Sequence, residues 1–361
     1  MLSRFRDKEL VRSIAKQISE SSKGSNFRIM HICGTHEWSI THFGLRDMLP
    51  ENVRIIAGPG CPVCVTSGNE IDALSDLAAD GEAVVTTFGD IVRVPGNRSS
   101  LSDAKASGGD VRVVYSIADA IRMAKEEGGK EFVHFSIGFE TTAPMAAVEI
   151  MRGVPENFSI FSTHKFIPPA LEFLLTSGAD IDGFVCPGHV STIIGAKAYE
   201  GLGSKYRKPM VIAGFEPLDV MAGVWNITRQ VKEGTFRVDN EYTRAVKHSG
   251  NEVALAMLEK IFEPCDANWR GIGKMPGSGM KLRGDYSGSD AALKFNMKLT
   301  ESDAMPKGCG CGSVLLGKIN PEGCPLFDDG CTPEHPIGPC MVSLEGTCAI
   351  AYKYRKIRNR P

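Results

Sequence analysis

The chain reads as a parallel α/β protein: two similar Rossmann-like sheet domains facing one another across a cleft, followed by a mainly helical and loop iron-sulfur region. Three observations predict this. Eight short apolar runs alternate with helix-like stretches over roughly 190 residues, the rhythm of strands joined by crossover helices. A long polar connection from Arg93 to Asp110, containing Pro95, Gly96 and the pair Gly108 and Gly109, points to more than one domain, and a boundary near residue 120 divides those runs into two groups of four. Six of the eleven cysteines, Cys309, Cys311, Cys324, Cys331, Cys340 and Cys348, fall within one 40-residue stretch near the C-terminus among Gly and Pro.

The elements follow in order. Leu10, Val11, Ile14, Ala15 and Ile18 recur at helical spacing, and Gly24 stops that N-terminal helix. The strands are expected at Phe27 to Ile32, Val53 to Ala57, Ala83 to Phe88 and Val111 to Tyr115, then Phe132 to Ile137, Phe158 to Ser162, Gly183 to Cys186 and Met210 to Ala213. Helices are expected near 117–127, 141–152, 168–177 and 216–233, and from Glu241 to Phe262 before loops rich in Gly and Pro. The predicted domains are 27–120, 121–239, and 1–26 together with 240–361. One large sheet or a barrel is the alternative for the strand-rich part, but a barrel of this strand number is usually larger and more uniform.

Composition narrows the function. The N-terminal residues are charged and amphipathic with no apolar stretch of signal-peptide length, and no later segment is apolar enough to span a bilayer, so a cytoplasmic protein is expected. In a reducing compartment eleven cysteines argue for metal binding or thiol redox chemistry over a disulfide framework. A formal charge of -2 from 41 basic and 43 acidic residues leaves no electrostatic footprint for nucleic acid or an anionic membrane. Partners should be proteins or small molecules.

In open parallel sheets ligands bind beyond the carboxyl ends of the strands. The unusual residues occupy those ends: Cys33 with His36 and Glu37, then Cys61 and Cys64, then Thr87 and Asp90. In the second half they are Glu140 with Thr141 and Thr142, His164 with Lys165, Cys186 with His189, and Glu216. Cys33 is the sharpest candidate, because a thiol at a helix N-terminus has its pKa lowered by the dipole and can ligate a metal as thiolate. A lone Cys beside Gly can equally be a small buried hydrophobe. Cys61 and Cys64 form a C-x2-C pair used in dithiol redox chemistry and in zinc knuckles; no second such pair exists to complete a knuckle, which favours redox work or transient metal handling. His164 and His189 can also be plain hydrogen-bonded histidines, and Glu140 and Glu216 can be helix N-terminal charges.

Two tempting motifs fail. Gly312 to Lys318 imitates a phosphate-binding loop, but Ile319 stands where Ser or Thr must hold magnesium. Gly271, Gly273, Gly277 and Gly279 lack a preceding strand and dinucleotide spacing, and read as flexible loop. In the tail Cys309, Cys324, Cys331 and Cys348 are spaced C-x14-C-x6-C-x16-C, which matches neither a ferredoxin nor a zinc ribbon. Four thiolates suit a 4Fe-4S cluster or zinc, with Cys311 and Cys340 as alternative ligands.

The motifs CGTHE at 33–37, GPGCPVC at 58–64, GFETTAP at 138–144, CPGHVSTIIG at 186–195, AGFEPLDV at 213–220 and EHPIGPCMVSLEGTCAIAY at 334–352 occur in one order. Together they resemble the HypD family of hydrogenase maturation proteins. The resemblance runs from about residue 28 to 355 and implies two similar α/β domains with facing loops and a third domain carrying a 4Fe-4S cluster on Cys309, Cys324, Cys331 and Cys348.

It also implies a function. The family is a scaffold on which the Fe(CN)2CO fragment of [NiFe]-hydrogenase is assembled together with the small chaperone HypC, cyanide arriving from HypE and the hydrogenase large subunit being reached through HypC. The thiolate matching Cys33 would share transiently bound iron carrying CN and CO with a HypC thiolate, while Cys61 with Cys64 and Cys311 with Cys340 would relay electrons between cluster and iron site. His36 and Glu37 are expected to orient or assist there, with Thr141, Thr142, His189 and Glu216 lining the cleft. Competing readings are a free-standing 4Fe-4S-dependent thiol-disulfide reductase and a zinc-stabilised interaction protein.

Overall fold

A computed structural model describes residues 2–299 and 305–358. The chain opens with α1 (Lys8–Ser21), whose first turn is capped by the Asp7 carboxylate accepting from the Glu9 and Leu10 amides. Next come β1 (Phe27–His31), α2 (Gly34–His42), β2 (Val53–Ala57), α3 (Gly68–Ala79) and β3 (Val84–Thr87). They are followed by α4 (Leu101–Ala106), β4 (Val111–Val113), α5 (Ile117–Glu126), β5 (Phe132–Ser136), α6 (Ala143–Arg152) and β6 (Phe158–Ser162). Capping boxes start α3 through Ser67 and Glu70 and α4 through Ser100 and Asp103, so local chemistry fixes where these crossovers begin.

The chain continues through α7 (Ile167–Thr176), β7 (Gly183–Pro187), α8 (Gly188–Ile194), α9 (Lys197–Tyr206), β8 (Met210–Ala213), α10 (Pro217–Glu233) and β9 (Val238–Asn240). Gly234 ends α10 in the left-handed conformation at φ 67°, which costs glycine little. Then come α11 (Glu252–Ile261), β10 (Phe262–Trp269), β11 (Gly273–Leu282), α12 (Ala291–Lys294), α13 (Cys311–Leu315), α14 (Pro339–Val342) and α15 (Thr347–Arg358).

Two parallel sheets result, each flanked by helices as expected of paired Rossmann-like units. The first has the order β2-β1-β7-β8-β9 and the second β4-β3-β5-β6. Alternate strand residues serve opposite faces of the first sheet: Ile29, Val185 and Val211 pack with α1 and α10, while Met30, Phe184 and Met210 pack with α7, α9 and the C-terminal region. In the second sheet Val84, Phe132 and Phe158 face α5 and α6, and Val85, Val133 and Phe161 face α3 and α4.

The strand order divides the chain differently from the expected cut near residue 120. Residues 27–57 and 183–240 build the first sheet, and residues 84–162, inserted between them, build the second. The N-terminal helix joins the first sheet through Val11, Ala15 and Ile18 rather than the C-terminal region. Beyond residue 240 two further differences appear. The expected helix from Glu241 is confined to Glu252–Ile261, capped by Asn251, and the glycine-rich loop forms the antiparallel β10–β11 hairpin. The rest of the C-terminal region is short helices and loops, packed through Val314, Leu315 and Met341 against Met30, Ile32 and Ile56 of the first sheet. Among the described residues no helix is long and apolar enough to cross a membrane.

Candidate functional site

Each sheet has the doubly wound order in which the chain reverses direction between its first strand and the next inserted neighbour, and ligands bind at that reversal. In the first sheet the reversal falls between β1 and β7, so the loop carrying Cys33 meets the one carrying His189. In the second it falls between β3 and β5, which brings Asp90 near Gly138, Thr141 and Thr142. The two reversals share one pocket of about 260 Å3, lined by Asp90, Thr141, Thr142, His189 and Glu345 together with Gly60 of the C-x2-C loop.

Cys33 sits behind this lining as the N-cap of α2, its Sγ 3.7 Å from His189 Nε2. Burial pushes its thiol up to about 12, outweighing the lowering by the His36 and Thr35 amides; Glu345 raises it further. The expected depression by the helix dipole is thus overridden, and the thiol form prevails. The two cysteine loops interlock at bare backbone: Gly34 N–H donates to Gly60 O at 3.1 Å, and a Cβ on Gly60 would stand 2.0 Å from the Cys33 nitrogen. Cys61 and Cys64, both buried in that second loop, are joined as a disulfide.

His36 and Glu37 lie beside Cys33 in sequence but turn into the framework. His36 Nε2 donates to Gly214 O at 2.9 Å and lies 3.2 Å from Ala213 O, fastening α2 to the end of β8; burial lowers its pKa to about 3, so the ring is neutral. Glu37 accepts from His31 Nε2 at 2.7 Å, Thr41 Oγ1 at 2.7 Å and Arg46 Nη2 at 2.6 Å. Burial opposes its ionisation, but the Arg46 charge and the His31 hydrogen bond win and hold the carboxyl far below its ordinary range.

His189 stacks on Phe215 at 5.0 Å with its pKa lowered by burial, leaving Nε2 directed at the thiol. Thr142 Oγ1 donates to Phe139 O at 3.3 Å, so its hydroxyl is held to the loop, whereas Thr141 stands at the pocket wall. Glu216 is not in the pocket: it caps α10 and pairs with Arg6 at the surface. Glu140 is buried behind the loop, accepts from Ile167 N–H at 2.9 Å, and has its carboxyl raised to about 7 by burial. His164 and Lys165 line a different cavity. Glu345, not singled out in sequence, completes the site together with Asp90. Glu345 accepts from Thr35 Oγ1 at 3.2 Å, burial raises its carboxyl, and Asp90 is held through Ser343 Oγ at 3.4 Å. The acidic residue before Gly346 in the tail motif was the available signal, masked by its distance from Cys33 along the chain.

The HypD family model, described as a hydrogenase formation hypA family, matches residues 9–355. The chain belongs to the HypD family. Hydrogenase maturation factor HypD2 of Bradyrhizobium diazoefficiens is 46% identical over 368 residues, covering 98% of this chain and 97% of that protein. HypD of Rhizobium leguminosarum bv. viciae is 42% identical, covering 99% of this chain and 96% of that protein. HypD of Cupriavidus necator is 42% identical, covering all of this chain and 98% of that protein.

Membership does not carry the expected metal chemistry with it. Among the described residues no group of three or more His, Cys, Asp or Glu side chains is arranged to hold a metal ion, which overturns the 4Fe-4S cluster expected on Cys309, Cys324, Cys331 and Cys348. The same finding removes the basis for iron carrying CN and CO bound at Cys33, and for the metal-binding, iron-sulfur and cyanide ligand transfer readings. The physical reason lies in how the tail sulfurs are engaged. Cys324 Sγ accepts from Gly310 N–H at 3.2 Å and Cys331 Sγ from Ile337 N–H at 3.3 Å. Cys348 instead joins Cys311 and Cys340, whose hydrogen bonds favour its thiolate and lower its pKa, while the same contact raises Cys340; Cys309 is raised by its bond to Cys311. The tail is a chain of thiol contacts centred on Cys311. The competing reductase reading, which depended on the cluster, loses its electron source with it.

Proposed function

We propose that this HypD-family chain acts in hydrogenase maturation as a thiol-redox scaffold, with HypC and HypE as its protein partners and the hydrogenase large subunit reached through HypC. The observation that carries this is the Cys33 thiol set 3.7 Å from His189 at a pocket shared by both sheets, next to the Cys61–Cys64 disulfide. A single buried thiol at an open pocket is suited to meeting a partner's group there, and covering the pocket strengthens every electrostatic contact inside it. In this reading Cys33 is the working thiol, His189 is its hydrogen-bond partner, and Asp90, Glu345 and Thr141 form the polar rim that the partner covers. His36 and Glu37 position the loop.

The redox part rests on two pairs. Reducing the Cys61–Cys64 disulfide takes up two electrons and two protons, and joining the thiols of Cys311 and Cys340, which are in hydrogen-bond contact, releases the same number. Cys64, Cys311 and Cys340 lie in the same buried core cluster. The test is labelling with N-ethylmaleimide, read at Cys33 by peptide mass with and without purified HypC and HypE. Shielding of Cys33 by HypC is expected. Equal labelling of Cys33 in the presence of a bound partner would falsify the docking assignment.

A further inference from the structure

A cavity of about 750 Å3 lies away from Cys33, between the end of β6 and the β10–β11 hairpin. Its floor is one row of cross-strand neighbours: Lys165 bridges Gly279, and Gly279 pairs with Cys265. Residues opposite one another across strands project to the same face, and Lys165 and Cys265 both line the cavity. Gly279 keeps the floor open, since a Cβ there would stand 2.9 Å from both Cys265 Sγ and Ala267 Cβ.

The ammonium of Lys165 is the feature that points to a ligand. The residue is 1% exposed, yet among the described residues its ammonium has one hydrogen bond, to Thr163 O at 3.5 Å, and one ion pair, with Glu70 Oε2 at 3.7 Å, at or beyond hydrogen-bond range for a group with three donors. A buried charge held so loosely is costly unless a further acceptor arrives. The cavity's own carboxylates have other duties: Glu70 accepts from Ser67 N–H at 3.0 Å, Asp266 from Gly277 N–H at 3.1 Å and Asp290 from Ala292 N–H at 2.8 Å. Phe161, Trp269 and Met280 supply apolar wall in an otherwise mixed lining. The other two lysines of the lining are paired, Lys274 with Asp266 at 3.7 Å and Lys281 with Glu263 at 2.9 Å, and a cavity of this size that joins apolar side chains to a few convergent charged groups is the usual form of a small-molecule site.

We propose that this cavity binds a small organic anion, a monocarboxylate with a compact apolar body, its carboxylate on Lys165 and its body against Trp269, with Cys265 beside it. The experiment uses the full chain and reads alkylation of Cys265 by iodoacetamide through peptide mass, with phenylacetate and its neutral counterpart phenylacetamide as probes. Saturating phenylacetate is expected to slow Cys265 alkylation by at least about fivefold, as occupancy requires, while phenylacetamide leaves it within about twofold. Lys165→Met, which removes the charge and keeps an unbranched side chain one atom shorter, is expected to erase the protection. Equal slowing by both probes, no slowing by phenylacetate, or protection retained in Lys165→Met overturns the proposal. If that variant does not fold, the comparison of the two probes on the unaltered chain still decides.

Discussion

The Cys33 sulfur and the His189 Nε2 nitrogen lie 3.7 Å apart although 156 positions separate them in sequence, because β1 and β7 are neighbours in one sheet. That contact exists only because the chain leaves the first sheet, completes the second, and returns.

Cys33 should alkylate slowly at neutral pH. With its pKa pushed up to about 12, the reactive thiolate fraction rises roughly tenfold per pH unit, so the iodoacetamide rate at Cys33 should climb without a plateau between about pH 7 and pH 10. Glu345→Gln removes a nearby negative charge that raises the thiol, so at a fixed pH the rate should increase. A plateau near neutrality, or a slower Glu345→Gln variant, would contradict the assignment.

Glu37 should behave as a framework residue. Its folded pKa lies below the ordinary 4.5, so it contributes stability that is complete above that value and lost as pH falls toward its folded pKa. Glu37→Gln, which leaves Arg46 without its buried partner, should cost about 3 kcal/mol near pH 7, measured by urea unfolding. The difference from the unaltered chain should shrink as the medium is acidified.

Glu140 has the opposite sign. Its folded pKa, about 7, lies above the ordinary 4.5, so the stability it supports is present below about pH 4.5 and is lost as pH rises through 7. The loss is on the order of 3 kcal/mol. Glu140→Gln should therefore be more stable than the unaltered chain at pH 8 and lose that advantage at pH 4.5, which unfolding curves at the two pH values would show.

The loop contact at Gly60 should tolerate no side chain. Gly60→Ala places a Cβ 2.0 Å from the Cys33 nitrogen and should destabilise by at least about 3 kcal/mol, while Gly128→Ala, which meets nothing within 4 Å, should stay within about 0.5 kcal/mol. Melting temperatures of the two variants provide the check.

Much of this was legible in the sequence. Each apolar run from Phe27 to Ala213 became a strand, because buried parallel strands need continuous apolar residues and their crossovers need caps such as Ser67 and Ser100. Which strands pair is a non-local matter, so the cut near 120 missed that β7 and β8 return to the first sheet. The β10–β11 hairpin was hidden by its own Gly271, Gly273, Gly277 and Gly279, which read as loop because glycine lacks strand propensity. At the site, Cys33 lies beside His189, and His189, Thr141 and Thr142 line one pocket, since strand ends of a doubly wound sheet converge. Side-chain direction did not follow from adjacency: His36 and Glu37 turn inward, Glu216 turns outward, and the tail sulfurs associate around Cys311 instead of around one metal site.

The central claim is that Cys33 is the working thiol of a hydrogenase maturation scaffold. It is tested most directly by replacing the chain with Cys33→Ser in cells that depend on it, confirming by melting temperature that the variant folds, and measuring hydrogenase activity. The account predicts activity at background with a folded variant; activity equal to that of cells carrying the unaltered chain would contradict it.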